Sequence, residues 1–232
     1  MSEHTVRAFD EDLTAVAGKV AEMGGLAEKA FADAVSALVT GDTDLARATV
    51  KGDERLDTLY MEVEASVIEL IARRQPMGQD LREVAAATRI SNDLERVGDL
   101  AKNVAKRVLA IDSDLQSKKL AIGVEHMTEL ALNQLKTVLD AYTRKDAEAA
   151  RRVQAADAEV DAIYTSIFRE LLTYMMEDPR VITQCVHLLF CAKNIERIGD
   201  HATNIAENVY FMVTGERLPE DREKLDETSG AV

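Results

Sequence analysis

The sequence predicts an all-α protein made of two tandem three-helix bundles related by a pseudo-twofold internal repeat. Three observations lead to this prediction. Hydrophobic residues make up 47% of the 232 residues, aromatic residues make up 4%, and there are three prolines, which is typical of helical proteins. Apolar residues recur every three or four positions along long segments. Finally, one nine-residue phrase occurs twice, which indicates a duplicated supersecondary unit.

The duplicated phrase reads ERVGDLAKN at residues 95–103 and ERIGDHATN at residues 196–204, an interval of 101 residues with six of nine positions identical. A weaker match joins residues 53–60 to residues 157–164 at an interval of 104 residues. The shorter interval at the later position predicts that the second copy is shortened near the turn before its last helix.

Three helices are predicted in the first half. The first carries an apolar stripe from Leu13 to Leu38. Gly41 then ends this helix and Asp42 caps the next. The second helix, with its stripe at residues 56–71, ends before Pro76, and the third runs over about residues 80–110.

The second half repeats this plan, with helices predicted over about residues 116–143, 146–176 and 179–213. Pro179 opens the last of these helices. The predicted divisions are therefore a first repeat at 1–112, a second repeat at 113–216 and a tail at 217–232. The tail is acidic and lacks apolar periodicity, so it is predicted to be disordered.

The net charge of −14 argues against a nucleic-acid partner and favours cations or a basic protein surface. The first residues are polar, and no apolar run approaches the ~20 residues of a membrane span. Cys185 and Cys191 lie about 120° apart around one predicted helix, so they cannot pair with each other. We therefore expect a soluble, cytoplasmic protein.

The repeated phrase places carboxylates one helical turn apart. On a helical wheel, Glu95 and Asp99 lie nearly opposite the apolar stripe of the third helix, and Glu196 and Asp200 repeat this arrangement. The wheel therefore predicts that these acids lie outside the bundle core. Like charges at this spacing repel by about 0.2–0.5 kcal/mol, so solubility alone would favour a basic partner. A plain solvated helix face is the alternative interpretation.

Two further acid pairs, Asp53 with Asp57 and Asp157 with Asp161, flank the stripes of the second and fifth helices. There, a neighbouring helix can approach them. Pairs of carboxylates across a groove suit hard cations such as magnesium, calcium, manganese or iron. Only His201 lies nearby and no cysteine does, which disfavours a structural zinc site.

Gly98 and Gly199 lie inside predicted helices, where glycine costs about 1 kcal/mol relative to alanine. The close approach of another helix or of a ligand would explain both residues equally well. Arg96 and Arg197 follow the glutamates directly, and either contact with a carboxylate or contact with a partner protein fits them.

From about Phe9 to Gly215 the chain resembles the PhoU family, accessory regulators of bacterial phosphate uptake. Residues 95–99 and 196–200 match the family's repeated Glu/Asp-x-x-x-Asp motif, and Ala-x-Asn follows each. The phrase from Gln75 to Arg82 is also similar to the family's. The second copy retains only Asp178 and Pro179 of that phrase.

The resemblance implies two three-helix bundles with multinuclear metal clusters, iron or zinc among others, on their surfaces. Manganese, magnesium and calcium also suit the oxygen donors. The resemblance implies that the first-choice metal ligands are Glu95, Asp99, Glu196 and Asp200. The family's second acidic motif matches Asp53, Asp57, Asp157 and Asp161.

The resemblance further implies a negative regulator of phosphate uptake and of the phosphate-starvation response, without enzymatic activity. Its implied partners are the ATPase subunit of the phosphate ABC transporter and a membrane-bound sensor histidine kinase. The protein would reach the membrane only through those partners. A homodimer is a further expectation, although the wheels show no apolar patch that would form it.

Two other classes of protein compete with this interpretation. A di-iron oxidase would need Glu-x-x-His ligands inside a four-helix core, and the chain contains no such motif. A purely structural helical scaffold without metal would satisfy the apolar stripes equally well. Phosphoryl transfer is disfavoured because no glycine-rich phosphate loop is present.

Overall fold

In a computed structural model, the backbone is described for residues 3–111 and 118–219, and the side chains for residues 9–111 and 123–219. This part of the chain forms six long helices and no strand. The helices are α1 (Glu3–Thr40), α2 (Thr43–Arg74), α3 (Gln79–Val108), α4 (Lys118–Arg144), α5 (Ala147–Glu177) and α6 (Ile182–Thr214). The all-α prediction is confirmed.

The predicted capping residue Asp42 is confirmed, and Asp146, which was not predicted as a cap, plays the same part in the second half. The side chain of Asp42 accepts hydrogen bonds from the backbone nitrogens of Asp44 and Leu45 at 3.0 and 2.9 Å, and so caps α2. Asp146 caps α5 in the same way through the backbone nitrogen of Ala149, at 2.9 Å. One difference concerns Pro179, which opens a short 3-10 turn (Pro179–Val181) before α6 begins.

Helices α1–α3 form one bundle and α4–α6 form the other, as the repeat predicted. The two bundles pack together mainly through α3 and α6, with a smaller contact between α1 and α4. Buried apolar residues from all six helices join in one continuous core. Helix α3 packs against α1, α2 and α6, and helix α6 packs against α3, α4 and α5, so each of the two is covered on three sides.

The predicted boundary between the repeats, at residues 112 and 113, lies outside the described residues. Most of the predicted tail, residues 220–232, also lies outside them. Its first residues pack on the second bundle, because Leu218 is buried and the Pro219 carbonyl accepts a hydrogen bond from Gln154 Nε2 at 3.3 Å. None of the described helices is apolar over enough length to cross a bilayer.

Candidate metal centres

The structure brings the eight predicted acids together as two clusters, one in each repeat. The first acidic cluster lies between α2 and α3, and the second lies between α5 and α6. The first consists of Asp53, Asp57, Glu95 and Asp99; the second consists of Asp157, Asp161, Glu196 and Asp200. Each cluster therefore joins an acid pair from one helix to an acid pair from its neighbour.

The repeated glycine lies at the contact between the two helices of each cluster. A Cβ atom at Gly98 would overlap the side chain of Leu56 and would lie 3.2 Å from Asp53 Oδ1. A Cβ atom at Gly199 would lie 3.5 Å from Asp157 Oδ1. Of the two explanations for these glycines, close helix packing is thus directly visible at Gly98, whereas a Cβ atom at Gly199 would make contacts of ordinary length with α5.

The prediction that the four acids of α3 and α6 lie outside the bundle core was wrong for Glu196 alone, because the other three acids are partly exposed. Glu196 is only 5% exposed, and the aspartates Asp53, Asp157 and Asp161 are also buried. The helical wheel treated the motif face of α3 and α6 as the side turned to solvent. Helices α2 and α5 cover that face, because α3 and α6 are each packed on three sides.

The first acidic cluster contains its own cation. Lys102 Nζ donates a hydrogen bond to Asp53 Oδ2 on α2 and another to Asp99 Oδ1 on α3, the latter at 2.6 Å. Arg96 adds weaker ion pairs, at 3.4 Å to Glu95 Oε2 and at 3.6 Å to Asp99 Oδ2. Burial lowers the pKa of Lys102, but its hydrogen bonds to the two aspartates outweigh this and raise it, so the side chain is an ammonium.

Burial and the charges of neighbouring acids both change the pKa values of Asp57 and Glu95 in the first cluster. Burial raises the pKa of Asp57, and the neighbouring charge of Asp53 raises it further, against the opposing effect of Lys102. Burial also raises the pKa of Glu95, together with the charge of Asp99. For both carboxyl groups, burial is the larger cause of the raised pKa and repulsion from neighbouring acids is the smaller one.

In the second cluster, Thr203 takes the place of the lysine. Its hydroxyl lies 3.2 Å from both Asp157 Oδ1 and the Gly199 carbonyl oxygen, which accept its hydrogen. Lys193 reaches the cluster from the rim, where its ammonium pairs with Glu196 Oε1 at 2.8 Å. The same ammonium stands 5.0 Å from the centre of the Tyr164 ring.

Two buried polar side chains beside the second cluster carry atoms without a hydrogen-bond partner. Burial raises the pKa of Glu196, the charges of Asp200 and Asp161 also raise it, and Lys193 opposes them. The second oxygen of Glu196, Oε2, has no hydrogen-bond partner in the described residues. The same is true of both amide atoms of Gln134 on α4, whose Oε1 lies 3.3 Å from the point that a Gly199 Cβ would occupy.

Sequence reasoning missed Gln134, Thr203 and Lys193 as neighbours of the acids. The sequence does contain a signal for Gln134 and for Thr203. Gln134 interrupts an apolar stripe at a position where helical spacing places it with Ala131 and Val138. Thr203 is one of the three differences within the repeated phrase. Lys193 lies outside that phrase, and its contact with Glu196 follows only from the side-chain geometry.

His201, the histidine nearest to the acids in sequence, turns away from the second cluster. Its Nδ1 lies 2.9 Å from Asp93 Oδ1 on α3, so it joins the two bundles across the α3–α6 contact. Because a carboxylate only accepts hydrogen bonds, Nδ1 is the protonated nitrogen in this pair. His201 is therefore a packing residue in this structure.

The donor chemistry of both clusters suits hard cations, but the geometry differs between them. In the described residues, no three Asp, Glu, His or Cys side chains are arranged to hold one metal ion, so an ion would require side chains to rotate. The second cluster offers the unpaired oxygen of Glu196 and the amide of Gln134. The first does not fit a metal ion while Lys102 lies between Asp53 and Asp99.

Comparison with known proteins identifies the family. The PhoU domain family matches residues 20–108 and 124–209, one match in each bundle. A Rhizobium meliloti protein named phosphate-specific transport system accessory protein PhoU homolog is 56% identical over 226 residues, which is 97% of this chain and 95% of that protein. A Caulobacter vibrioides protein of the same name is 53% identical, over 97% of this chain and 98% of its own.

Solved structures agree with this result. The crystal structure of PhoU from Pseudomonas aeruginosa superposes with a TM-score of 0.87 at 37% identity, covering 90% of this chain and all of that one. A phosphate transport system regulatory protein PhoU from Streptococcus pneumoniae superposes with a TM-score of 0.84 at 26% identity, covering 91% of this chain and 99% of that one. The two domain matches, the relatives and the shared six-helix fold together show that this chain belongs to the PhoU family.

Proposed function

We propose that this protein restrains phosphate uptake and the phosphate-starvation response when phosphate is plentiful. The observation that supports this proposal is the pair of PhoU domain matches, which together span both bundles. The named relatives are accessory proteins of phosphate-specific transport, so a role beside that transport system is the natural extension to this chain.

The proposed mechanism is that of an adaptor rather than an enzyme. The chain would contact the ATPase subunit of the phosphate ABC transporter and a sensor histidine kinase on the cytoplasmic side of the membrane. Long rigid helices and a net charge of −14 suit docking to basic protein surfaces, which electrostatic attraction would steer. A bound cation would adjust the acidic clusters and the surface around them.

A gene deletion tests the regulatory role. Reporters of phosphate starvation are measured in phosphate-rich medium, with the native gene removed and then restored. We expect the reporters to become active without the gene and silent again when it is restored. Reporters that stay silent in the deletion strain would contradict the proposal.

A metal-free helical scaffold is a second candidate, and one observation favours it. The described side chains do not converge on a point where one ion would be held. Metal analysis after purification without chelators separates the candidates, because the adaptor proposed here should retain a cation and the scaffold should not. The predicted homodimer is tested separately, by measuring the oligomeric state with sedimentation velocity.

A further inference from the structure

Helix α2 has a second row of small and apolar side chains, on the side opposite the one buried in the core. The members of this outer stripe recur at alternating spacings of three and four positions and are all exposed: Thr58, Met61, Ala65, Ile68 and Ala72. The two large members, Met61 and Ile68, are 61% and 68% exposed. Isolated apolar residues are ordinary on a protein surface, but a row of them on one helix face indicates a contact surface.

The spacing of the outer stripe is that of a coiled-coil seam, in which positions a and d meet the partner helix and positions e and g flank them. If Ala65 is at position a and Ile68 is at position d, four of the five flanking residues are acids. Position e is occupied by Glu62 and Glu69, and position g is occupied by Asp57, Glu64 and Ile71. The outer stripe therefore has carboxylates along both of its edges.

The corresponding face of α5 lacks this pattern. At the interval of 104 residues that relates α2 to α5, Arg169 takes the place of Ala65 and Thr165 takes the place of Met61. Only one of the five flanking residues of α5 is an acid; they are Asp161, Ser166, Phe168, Thr173 and Met175. Leu172, which corresponds to Ile68, is 40% exposed and so provides a matched control position outside the acidic seam.

The acids at position e already pair with basic side chains of this chain. Glu62 Oε2 lies 3.3 Å from Lys19 Nζ, and Glu69 Oε1 lies 2.6 Å from Arg73 Nη1. These four side chains are 31–63% exposed, and ion pairs at such sites contribute little to stability. Each carboxylate also has lone pairs for a second donor. The acids can therefore accept further hydrogen bonds from the basic side chains of a partner.

The charges decide which kind of partner fits the outer stripe. A second copy of this chain would bring the acids of one α2 against those of the other, and an anionic membrane surface would repel them in the same way. The chain's own residues 220–232 carry five acids and two bases, so they are also repelled. A helix with basic residues at its own e and g positions would instead be attracted.

We propose that the outer stripe of α2 docks a basic amphipathic helix of a partner protein, with Met61 and Ile68 packed against the apolar face of that helix. The small side chains of Ala65 and Ala72 leave room for the two helices to approach. The inference rests on the proposed adaptor function, to which it adds one docking surface and the chemistry of the partner.

Fluorescence anisotropy tests this inference with the full-length protein and a labelled synthetic peptide of about four heptads, which has leucine at positions a and d and lysine at positions e and g. We expect the wild-type protein to bind this lysine peptide and not the same peptide with glutamate at e and g. Ile68→Glu should weaken binding by about tenfold or more, because a carboxylate replaces an apolar contact. Leu172→Glu, the matched change in α5, should leave the affinity unchanged.

Charge reversal tests the acidic edges separately. The double variant Glu64→Lys/Glu69→Lys reverses one charge at position g and one at position e, so it should lose the preference for the lysine peptide over the glutamate peptide. The control Glu170→Lys/Glu177→Lys changes the net charge equally at exposed positions of α5 and should keep the wild-type preference. Circular dichroism checks that each variant is folded.

Several outcomes would overturn the inference. They include equal losses in Ile68→Glu and Leu172→Glu, no loss in either variant, and a wild-type protein that does not bind the lysine peptide. A dimer that Ile68→Glu dissociates in sedimentation velocity would assign the outer stripe to a second copy instead. Binding to phosphatidylglycerol vesicles that Ile68→Glu abolishes would assign it to a membrane surface.

Starvation reporters in phosphate-rich medium separate this inference from the function on which it rests. A gene carrying Ile68→Glu should activate the reporters, whereas a gene carrying Leu172→Glu should keep them silent. Reporters that stay silent with Ile68→Glu, in a strain where gene deletion activates them, would overturn the inference alone. Reporters that stay silent after deletion would overturn the regulatory function itself.

Discussion

Gly98 determines how closely α2 can approach α3 beside the first acidic cluster. The side chain of Leu56, which is buried in the core, fills the space that a Cβ atom would need. Gly25 on α1 is a contrasting case, because it is exposed and has nothing within 4 Å of an added Cβ atom. Close packing therefore accounts for the glycine at position 98, whereas no packing contact accounts for the one at position 25.

Replacing Gly98 with alanine should lower the free energy of unfolding. Forcing a methyl group against Leu56 costs about 1–3 kcal/mol, which exceeds the gain of about 1 kcal/mol from helix propensity. Urea denaturation measures the difference. The matched change Gly25→Ala should raise the free energy of unfolding by about 0.5–1 kcal/mol, because only propensity acts there. A Gly98→Ala protein as stable as the wild type would contradict the packing seen here.

Glu196 makes the stability of the metal-free protein depend on pH. Burial raises its pKa above the ordinary value of 4.5, so the folded state binds the proton more tightly than the unfolded state does. Its contribution to stability is therefore fully present below the ordinary pKa. The contribution is lost as the pH rises through the raised pKa.

In the metal-free protein, Glu196→Gln should therefore raise the free energy of unfolding at pH 7 by about 1 kcal/mol, since an uncharged amide replaces a buried carboxylate. This advantage should disappear as the pH falls below about 4, where the glutamate is protonated. Thermal unfolding across this pH range measures the effect. Glu125→Gln, the same change at an exposed position on α4, is the control, and an identical profile in both variants would refute the prediction.

The eight acids were predictable from sequence because their spacing and repetition are visible in one dimension. The burial of Glu196 was not, because a helical wheel shows which residues share a face but not how many helices cover it. The difference between Lys102 and Thr203 was visible in the repeated phrase. The structural importance of this difference depends on the hydrogen bond from Lys102 to Asp53, which joins residues 49 positions apart.

At the scale of the helices, α3 and α6 connect the two bundles through contacts of several kinds. His201 on α6 pairs with Asp93 on α3, and both side chains are largely buried. Arg107 on α3 lies over the ring of Phe190 on α6, at 4.3 Å from its centre. A cation placed over an aromatic face contributes about 0.5–1 kcal/mol at exposed sites. The α3–α6 contact thus contains a polar pair in addition to the shared apolar core.

Removing the imidazole by His201→Ala should lower the free energy of unfolding by about 1–3 kcal/mol, because Asp93 would keep its burial and lose the hydrogen bond described here. Chemical denaturation at pH 7 measures this loss. His126→Ala is the control, since His126 is 60% exposed on α4 and should change stability by no more than about 0.5 kcal/mol. Equal effects in the two variants would show that the pair does not stabilise the α3–α6 contact.

The helix boundaries were predicted well because the capping aspartates, Gly41 and Pro76 act locally. The beginning of α6 was displaced for an equally local reason. The side chain of Asp178 accepts a hydrogen bond from the Arg180 backbone nitrogen at 3.0 Å, which holds a 3-10 turn before the helix starts. The packing of α3 on α6 has no local signal, because both helices show the same single apolar stripe that any bundle would produce.

At the scale of the whole molecule, the continuous core predicts that the two repeats unfold together. Four of the five tyrosines lie in the second repeat, and the chain has no tryptophan. Tyrosine fluorescence therefore reports mainly on the second bundle, whereas circular dichroism reports on all helices. We expect the two signals to give one coincident urea transition. Two separate midpoints would show that the bundles are independent folding units.

The proposed cation binding by the acidic clusters is tested most directly by locating a bound ion. Crystals of the full-length protein grown with Mn²⁺ would reveal the ion by its anomalous scattering. The proposed metal-binding role predicts density for an ion among the paired carboxylates of at least one cluster. The absence of such density from both clusters would contradict this prediction.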